Sequence, residues 1–247
     1  MSKICIVATY FDRQFQLNKT LTSISKSSHK DFEVIIVDDC SPEKIVIPNL
    51  PFNVTIIRLE NKTWTNSANV YNIGFIEALK SDPDIIIIQN AECAHHGDII
   101  NHCETITNDN YIAFSCYSLG KGEEPGNIIN DRCALGDGDS AWYNHPLYRP
   151  LAYHFCSAIT KDNLIKLNGF DERFCSGIAY EDNYFVHQIK NLGLRIDIPT
   201  EPMVFHQYHY DGMTRDLELV KKNAELWNEL KNDNNYRAVH KLTPDLL

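Results

Sequence analysis

Four consecutive isoleucines, Ile85 to Ile88, follow Asp84 and run directly into Gln89-Asn90-Ala91-Glu92. An unbroken β-branched run leaves no polar face, so it suits a strand buried on both sides of a parallel sheet. The run stops at amide and carboxylate oxygens. In open α/β sheets the carboxyl ends of the strands border the ligand crevice. This segment therefore delivers hard oxygen donors of the kind that hold Mg²⁺ or Mn²⁺ on a phosphate. Taken alone, Asn90 and Glu92 would serve equally well as caps for the segment that follows.

The flanking segments repeat the pattern. Lys3 to Thr9 reads as a first strand, followed by the loop Tyr10 to Arg13 and a helix with Leu17, Leu21 and Ile24 on one face. Phe32 to Asp39 reads as a second strand ending in two aspartates, and Val54 to Leu59 as a third. Ala68, Tyr71, Phe75 and Ala78 then share a helical face before the isoleucine run. This alternation predicts an α/β fold with a parallel sheet and right-handed crossovers. Thr9 and Arg13, Asp38 and Asp39, and Asn90 and Glu92 close three successive strands, and parallel strands bring like ends to one crevice. A strand-end aspartate is also a common turn former, so the convergence of three ends carries the argument.

Composition narrows the options. A chain of 247 residues, 43% hydrophobic and 23% charged, fits one large α/β domain or two small ones. A formal charge of -10 disfavours a nucleic-acid backbone as the main partner. Met1 to Val7 reads as a strand rather than a signal peptide. No window approaches 18 uninterrupted apolar residues, so no integral membrane segment is expected. Eight cysteines without a CxxC pair read as buried free thiols of a reducing compartment, which makes the expected location cytoplasmic. There is no GxGxxG after the first strand and no GxxxxGK[ST], which disfavours a dinucleotide dehydrogenase and a P-loop NTPase.

Beyond Gly97 the pattern predicts a helix through Ile99, Ile100, Cys103 and Ile106, a strand from Tyr111 to Tyr117, and an irregular stretch from Leu119 to Arg149. Gly136-Asp-Gly-Asp-Ser140 lacks the ligand spacing of an EF-hand and reads as a turn. Trp142, Tyr143, Arg149 and His154 mix aromatic rings with hydrogen-bonding groups, which suits a sugar. The same rings would also serve to anchor a loop in the core. A strand from Tyr153 to Thr160 and a helix from Lys161 to Leu167 come next. Asn168-Gly-Phe-Asp-Glu172 and a glycine at 177 precede Glu181-Asp182, which open a helix marked by Phe185, Ile189 and Leu192. Carboxylates in a first turn also favour the helix dipole alone. A late strand, Leu194 to Ile198, leads to Glu201 through His209. Leu217, Val220, Ala224 and Trp227 mark a final amphipathic helix, and a polar tail is expected from Asn232 onward.

Val7 to Arg13, Phe32 to Ser41, Asn69 and Asn72, and Asn90-Ala-Glu92 together resemble the donor half of a family 2 glycosyltransferase with the GT-A fold. Asn168 to Glu172, the glycine-bearing loop and Glu181-Asp182 resemble its second half in the galactosyltransferase-type variant. The resemblance spans roughly residues 3–210. It implies a single GT-A domain over residues 1–247, with a mostly parallel central sheet flanked by helices. The nucleotide-sugar donor half would occupy about 1–100, the acceptor and catalytic half about 101–215, and a C-terminal helix and tail 216–247. By this resemblance Thr9, Tyr10, Arg13, Asp38, Asp39, Asn69 and Asn90 surround the nucleotide. Glu92 and a later histidine, His206 with His209 as the alternative, hold Mn²⁺ or Mg²⁺. Asp182 is the general base, Glu181 orients the base or the acceptor, and Trp142, Tyr143, Arg149 and His154 face the acceptor. Asn-Ala-Glu stands in place of the family's paired aspartates, and Tyr71-Asn72 stands where relatives commonly carry Arg-Asn.

The implied reaction moves a sugar from a nucleotide sugar, with a UDP-sugar expected, to a hydroxyl of a glycan or glycosylated acceptor, with inversion. Two other readings stay open. A nucleotidyltransferase shares the architecture, but its Gly-rich Lys/Arg-bearing loop is missing here. A non-catalytic carbohydrate- or nucleotide-binding protein of the same fold is consistent with the altered Asn-Ala-Glu motif.

Overall fold

The computed structural model of the chain describes residues 1–124, 141–209 and 216–239. Its first half runs β1 (Ile4–Tyr10), α1 (Gln14–Ile24), β2 (Phe32–Asp38), β3 (Val54–Arg58), α2 (Ala68–Leu79) and β4 (Ile85–Asn90). Next come β5 (Cys93–His96), α3 (Ile99–His102), β6 (Asn110–Ala113), β7 (Ser115–Ser118), β8 (Trp142–Asn144), β9 (Cys156–Thr160) and α4 (Lys161–Leu167). The chain then forms α5 (Glu181–Asn191), β10 (Arg195–Asp197), β11 (Met203–His206) and α6 (Leu217–Leu230).

Seven strands form the main sheet in the order β10-β6-β9-β4-β1-β2-β3. β4 sits at its centre, parallel to β1 and antiparallel to β9. β1–β2, β2–β3 and β6–β10 are also parallel. The isoleucine run is buried on both faces, as its composition requires. Ile86 and Ile88 join one core cluster with Val7, Tyr71, Phe75 and Phe185. Ile85 and Ile87 join the other with Ile4, Ile6, Leu17 and Leu21. Burying a side chain of this size contributes about 1.5–3 kcal/mol. α2 lies close against β1, because a Cβ on Gly74 would collide with Val7. Only a glycine permits that approach.

Two expectations change. The strand expected from Tyr111 to Tyr117 is two strands in different sheets. They part at Phe114, whose backbone N–H donates to the Cys156 carbonyl at 2.9 Å. β6 stays in the main sheet, and β7 enters a second sheet of order β5-β11-β7-β8. β5 and β8 are short strands inside segments that carry no strand-length apolar alternation. The expected polar tail is also corrected. Up to residue 239 it is tied down, with the Ala238 N–H on the Leu167 carbonyl at 2.8 Å and Ala238 itself buried. The glycine-rich segment at 136–140 lies outside the described residues.

Candidate active site

The carboxyl ends of β1, β2 and β4 open on one cleft of about 310 Å³. Thr9, Tyr10, Arg13, Asp39, Asn90 and Glu92 line one part of it. His154, Glu181 and Asp182 also line it. Residues from the two halves of the chain thus meet at one place. Thr9 and Asn90 sit on neighbouring strands in register, which is why strand-end residues far apart in sequence converge.

Glu92 is met by three basic side chains. Its Oε1 lies 3.0 Å from Arg13 Nη1, 3.4 Å from His206 Nε2 and 3.9 Å from His209 Nε2. The second sheet explains this grouping. β11 pairs antiparallel with β5 so that His206 stands opposite Cys93, the residue after Glu92. Gln207 locks the register, its backbone N–H donating to the Glu92 carbonyl at 3.0 Å. Burial would push the Glu92 carboxyl up, but hydrogen bonding from His206 and the charges of Arg13 and the histidines outweigh it and hold the group at about 2. One carboxylate and two imidazoles have ligand atoms within 4.8 Å of one another. Among the described residues this is the one such grouping. An oxygen-and-imidazole set of this kind fits a first-row divalent cation.

Glu181 and Asp182 occupy the first turn of α5. The chain reaches them through Ala179 and Tyr180, both at positive φ, 62° and 68°. Left-handed conformations at two successive non-glycine residues are held only where the surroundings enforce them. Here the enforcement comes from α6. Asn223, the one buried residue of that helix, donates to the carbonyls of Phe174 at 3.0 Å and Ala179 at 2.8 Å. Gly177 has no side chain because a Cβ there would collide with the Asn223 amide.

The Glu181 carboxylate accepts from Asn66 Nδ2 at 2.5 Å. Burial, and then the adjacent Asp182 charge, push Glu181 up to about 7. Asp182 Oδ1 is in direct contact with His154 Nδ1.

The other sequence-predicted residues fall outside the cleft lining. Asp38 is fully buried, accepting from Arg58 Nη1 at 2.8 Å and the Ser41 N–H at 3.0 Å. Asp39, its neighbour, reaches the cleft and accepts from Trp64 Nε1 at 2.8 Å. Asn69 is buried on α2 beside Cys175. Trp142 packs edge-on against Tyr117 at 5.0 Å in a small core cluster. Tyr143 stacks on Phe155 and meets His206 edge-on at 4.9 Å, so it backs the histidine. Arg149 donates to the Trp142 carbonyl at 3.3 Å. Of the four residues predicted to face the acceptor, His154 alone lines the cleft, and it does so against Asp182.

Sequence reasoning missed Tyr71 as a site residue. Its apolar helical spacing places it in the core, yet its hydroxyl donates to Asn90 Oδ1 at 2.7 Å at the cleft wall. Asn66 was also missed. The polar run Thr65-Asn66-Ser67 before a helix is a signal, but one that ordinarily marks a cap.

An α/β sheet with a strand-end acid, two following histidines and a carboxylate pair opening a late helix defines a GT-A-type glycosyltransferase domain. Residues 5–154 match the glycosyl transferase family 2 profile, and the chain belongs to that family. It is 36% identical over 72 residues to an uncharacterized glycosyltransferase of Haemophilus influenzae, a match covering 29% of this chain and 24% of that protein. The structure is similar to the mannosyltransferase PcManGT of Pyrobaculum calidifontis, solved with GDP-Man and Mn²⁺. That likeness has a TM-score of 0.61 at 14% identity and covers 92% of this chain and 64% of that one. It is also similar to residues 1–349 of S. aureus TarS with UDP-GlcNAc, with a TM-score of 0.62 at 11% identity over 93% of this chain and 67% of that one. A third likeness is to GalNAc-T7 with UDP, GalNAc and Mn²⁺, with a TM-score of 0.63 at 12% identity over 95% of this chain and 49% of that one. At these identities the likenesses establish the fold. Among the described residues no helix is long and apolar enough to cross a membrane.

Proposed function

We propose that the chain transfers a hexosyl group from a nucleotide-diphosphate sugar, a UDP-sugar in the first instance, to a hydroxyl of a glycan or glycosylated acceptor. The observation that carries this reading is the meeting, in one cleft, of Glu92, which His206 and His209 flank, with the Glu181–Asp182 pair. On this reading the first group would hold the diphosphate and the second would receive the acceptor. A nucleotidyltransferase has no use for the second, and a mere binding protein has no use for a base beside a buried, protonatable carboxyl.

Thr9, Tyr10 and Asp39 would hold the nucleoside at the strand ends, with Arg13 beside the diphosphate. Glu92, His206 and His209 would hold a divalent cation, and the two imidazoles favour Mn²⁺ over Mg²⁺. When bound, it supplies Lewis-acid stabilisation of the departing diphosphate. Asp182 takes the proton of the acceptor hydroxyl as that oxygen bonds to the anomeric carbon, the sugar–phosphate bond breaks, and the electron pair leaves with the diphosphate. A single displacement of this kind inverts the anomeric centre. Glu181, raised to about 7, is about half protonated at pH 7, and in its protonated form it can donate a hydrogen bond to the acceptor without adding a second charge beside the base.

The test is thermal stabilisation by UDP, GDP, CDP and dTDP, each with Mn²⁺ and with EDTA. Ligands that bind the native state raise the melting temperature by linkage. A shift with one nucleotide that needs Mn²⁺ is the expected result and selects the donor sugars to assay. No shift with any nucleotide, in an assay where a known nucleotide binder responds, would overturn the reading.

A further inference from the structure

Two carboxylates lie side by side at the start of α5, yet only one of them touches the imidazole of His154. His154 is 6% exposed. Its ring is set edge-on to Tyr71 with centroids 5.0 Å apart and to Phe170 at 4.7 Å. Aromatic packing from α2 and from the loop before α5 therefore fixes the ring, independently of the acid it meets. Its Nδ1 contacts Asp182 Oδ1, while Glu181 is engaged separately by the Asn66 amide.

Building on the glycosyl-transfer reading above, we propose that His154 is the positioning residue of the general base. It anchors Asp182 through one carboxylate oxygen and leaves the other for the acceptor hydroxyl.

Two neighbouring carboxylates in a buried site do not both ionise freely, since each charge raises the other. An imidazolium in contact with one of them stabilises that one. The groups facing His154 are Asp182 and Glu181 from α5, the Tyr71 hydroxyl-bearing ring from α2, and the apolar Phe170. Burial works against the charged imidazole, but the Asp182 charge and hydrogen bond, and then Glu181, raise His154 above its ordinary value. Glu181 is not in contact with the imidazole and feels its charge only at a distance, while burial and then the Asp182 charge push it up to about 7. The two acids therefore differ in their partners: His154 holds Asp182, and Asn66 holds Glu181. In the transfer step the acceptor proton goes to the free oxygen of Asp182. His154 exchanges no proton in this step, so no further co-reactant is needed.

The experiment uses the full chain with His154→Gln and His154→Phe, together with Asp182→Asn. The first readout needs no substrate: the His154 ring is titrated by NMR in the wild type and in D182N. The imidazole is expected to titrate above the ordinary histidine range and to fall by about one pH unit or more in D182N. Equal titration in both proteins would overturn the anchoring. The second readout is transfer. H154F is expected to lower kcat about 100-fold with the nucleotide Kd changed by less than about threefold. Its acid limb should move to higher pH by about one unit, because an acid that loses its cation needs a higher pH to ionise. H154Q, which keeps a hydrogen-bond donor, should restore part of kcat without restoring the pH profile. An unchanged acid limb in both variants would overturn the proposal. If H154F does not fold, H154Q and the NMR titration decide. If the chain transfers no sugar at all, the NMR arm still rules on the His154–Asp182 contact, which separates failure of this inference from failure of the glycosyl-transfer reading.

Discussion

Asp182 and Glu181 differ by one position and by everything around them. Asp182→Asn keeps the size and removes the basicity, so kcat is expected to fall by about 10²–10⁴-fold while UDP affinity stays nearly constant. Steady-state kinetics beside nucleotide titration calorimetry checks this, and full activity in the variant would place the base elsewhere. Glu181 makes a separate prediction about stability. Its carboxyl is raised from 4.5 to about 7 by burial and by Asp182, so the folded state binds the proton more tightly than the unfolded chain. Its contribution is most favourable below about 4.5 and is lost as pH rises through about 7. Glu181→Gln should therefore melt higher than the wild type at about pH 8, with the difference vanishing near pH 4. Glu92 has the opposite sign. Held at about 2, it stabilises the fold above 4.5 and that contribution is lost as pH falls toward 2. A melting-temperature series against pH in Glu181→Gln and Glu92→Gln separates the contributions.

At the scale of elements, the site depends on a helix that contributes nothing to its lining. α6 inserts Asn223 beneath the strained Ala179–Tyr180 turn and accepts the Ile178 N–H through the Leu219 carbonyl at 3.1 Å. Asn223→Ala would remove the side-chain donor from the Ala179 carbonyl and leave the Phe174 carbonyl only the Gly177 N–H at 3.2 Å, a cost of about 1–3 kcal/mol. Release of the turn should displace the start of α5, so kcat is expected to drop more than nucleotide affinity. Equal losses in both would show a general loosening instead. β4 is the converse case, an element whose role is stability. Ile87, fully buried between β1 and β9, should cost about 2–5 kcal/mol on replacement by Ala, read from chemical denaturation.

Across the whole molecule, the segment after α6 clasps the second half. The Val239 N–H donates to Asp171 Oδ2 at 2.9 Å, the Glu172 N–H to the Val239 carbonyl at 3.2 Å, and Arg237 Nη1 to the Ile165 carbonyl at 3.1 Å. These bonds brace the loop that leads to Glu181. At about 0.5–1.5 kcal/mol each, their removal by truncation after Leu230 should lower the melting temperature by several degrees. A free polar tail would leave it unchanged.

The legible part of this protein is local. Period and composition placed β1, β2, β3, β4 and the helices between them, because an apolar run or a 3.6-residue stripe reports burial at its own position. The family resemblance, not periodicity, suggested roles for Glu92 and Asp182, and both residues line the cleft. What escaped it depends on partners remote in sequence. Residues 111–117 look like one strand because nothing in them announces that Phe114 will hand the chain from one sheet to another. Trp142 has the chemistry of a sugar platform but is taken up by core packing. Tyr71 has the spacing of a core residue but reaches the cleft with its hydroxyl. Asp38 and Asp39 are adjacent acids that no local rule distinguishes, and the pleat turns one into the interior and the other to the cleft. The sheet, its strand ends and the type of ligand they can hold follow from nearest-neighbour patterns. Which histidines meet Glu92, which carboxylate meets His154 and which helix braces the turn follow from the pairing of β11 with β5 and the docking of α6. Those contacts join positions about 30–115 residues apart, where sequence periodicity carries no signal.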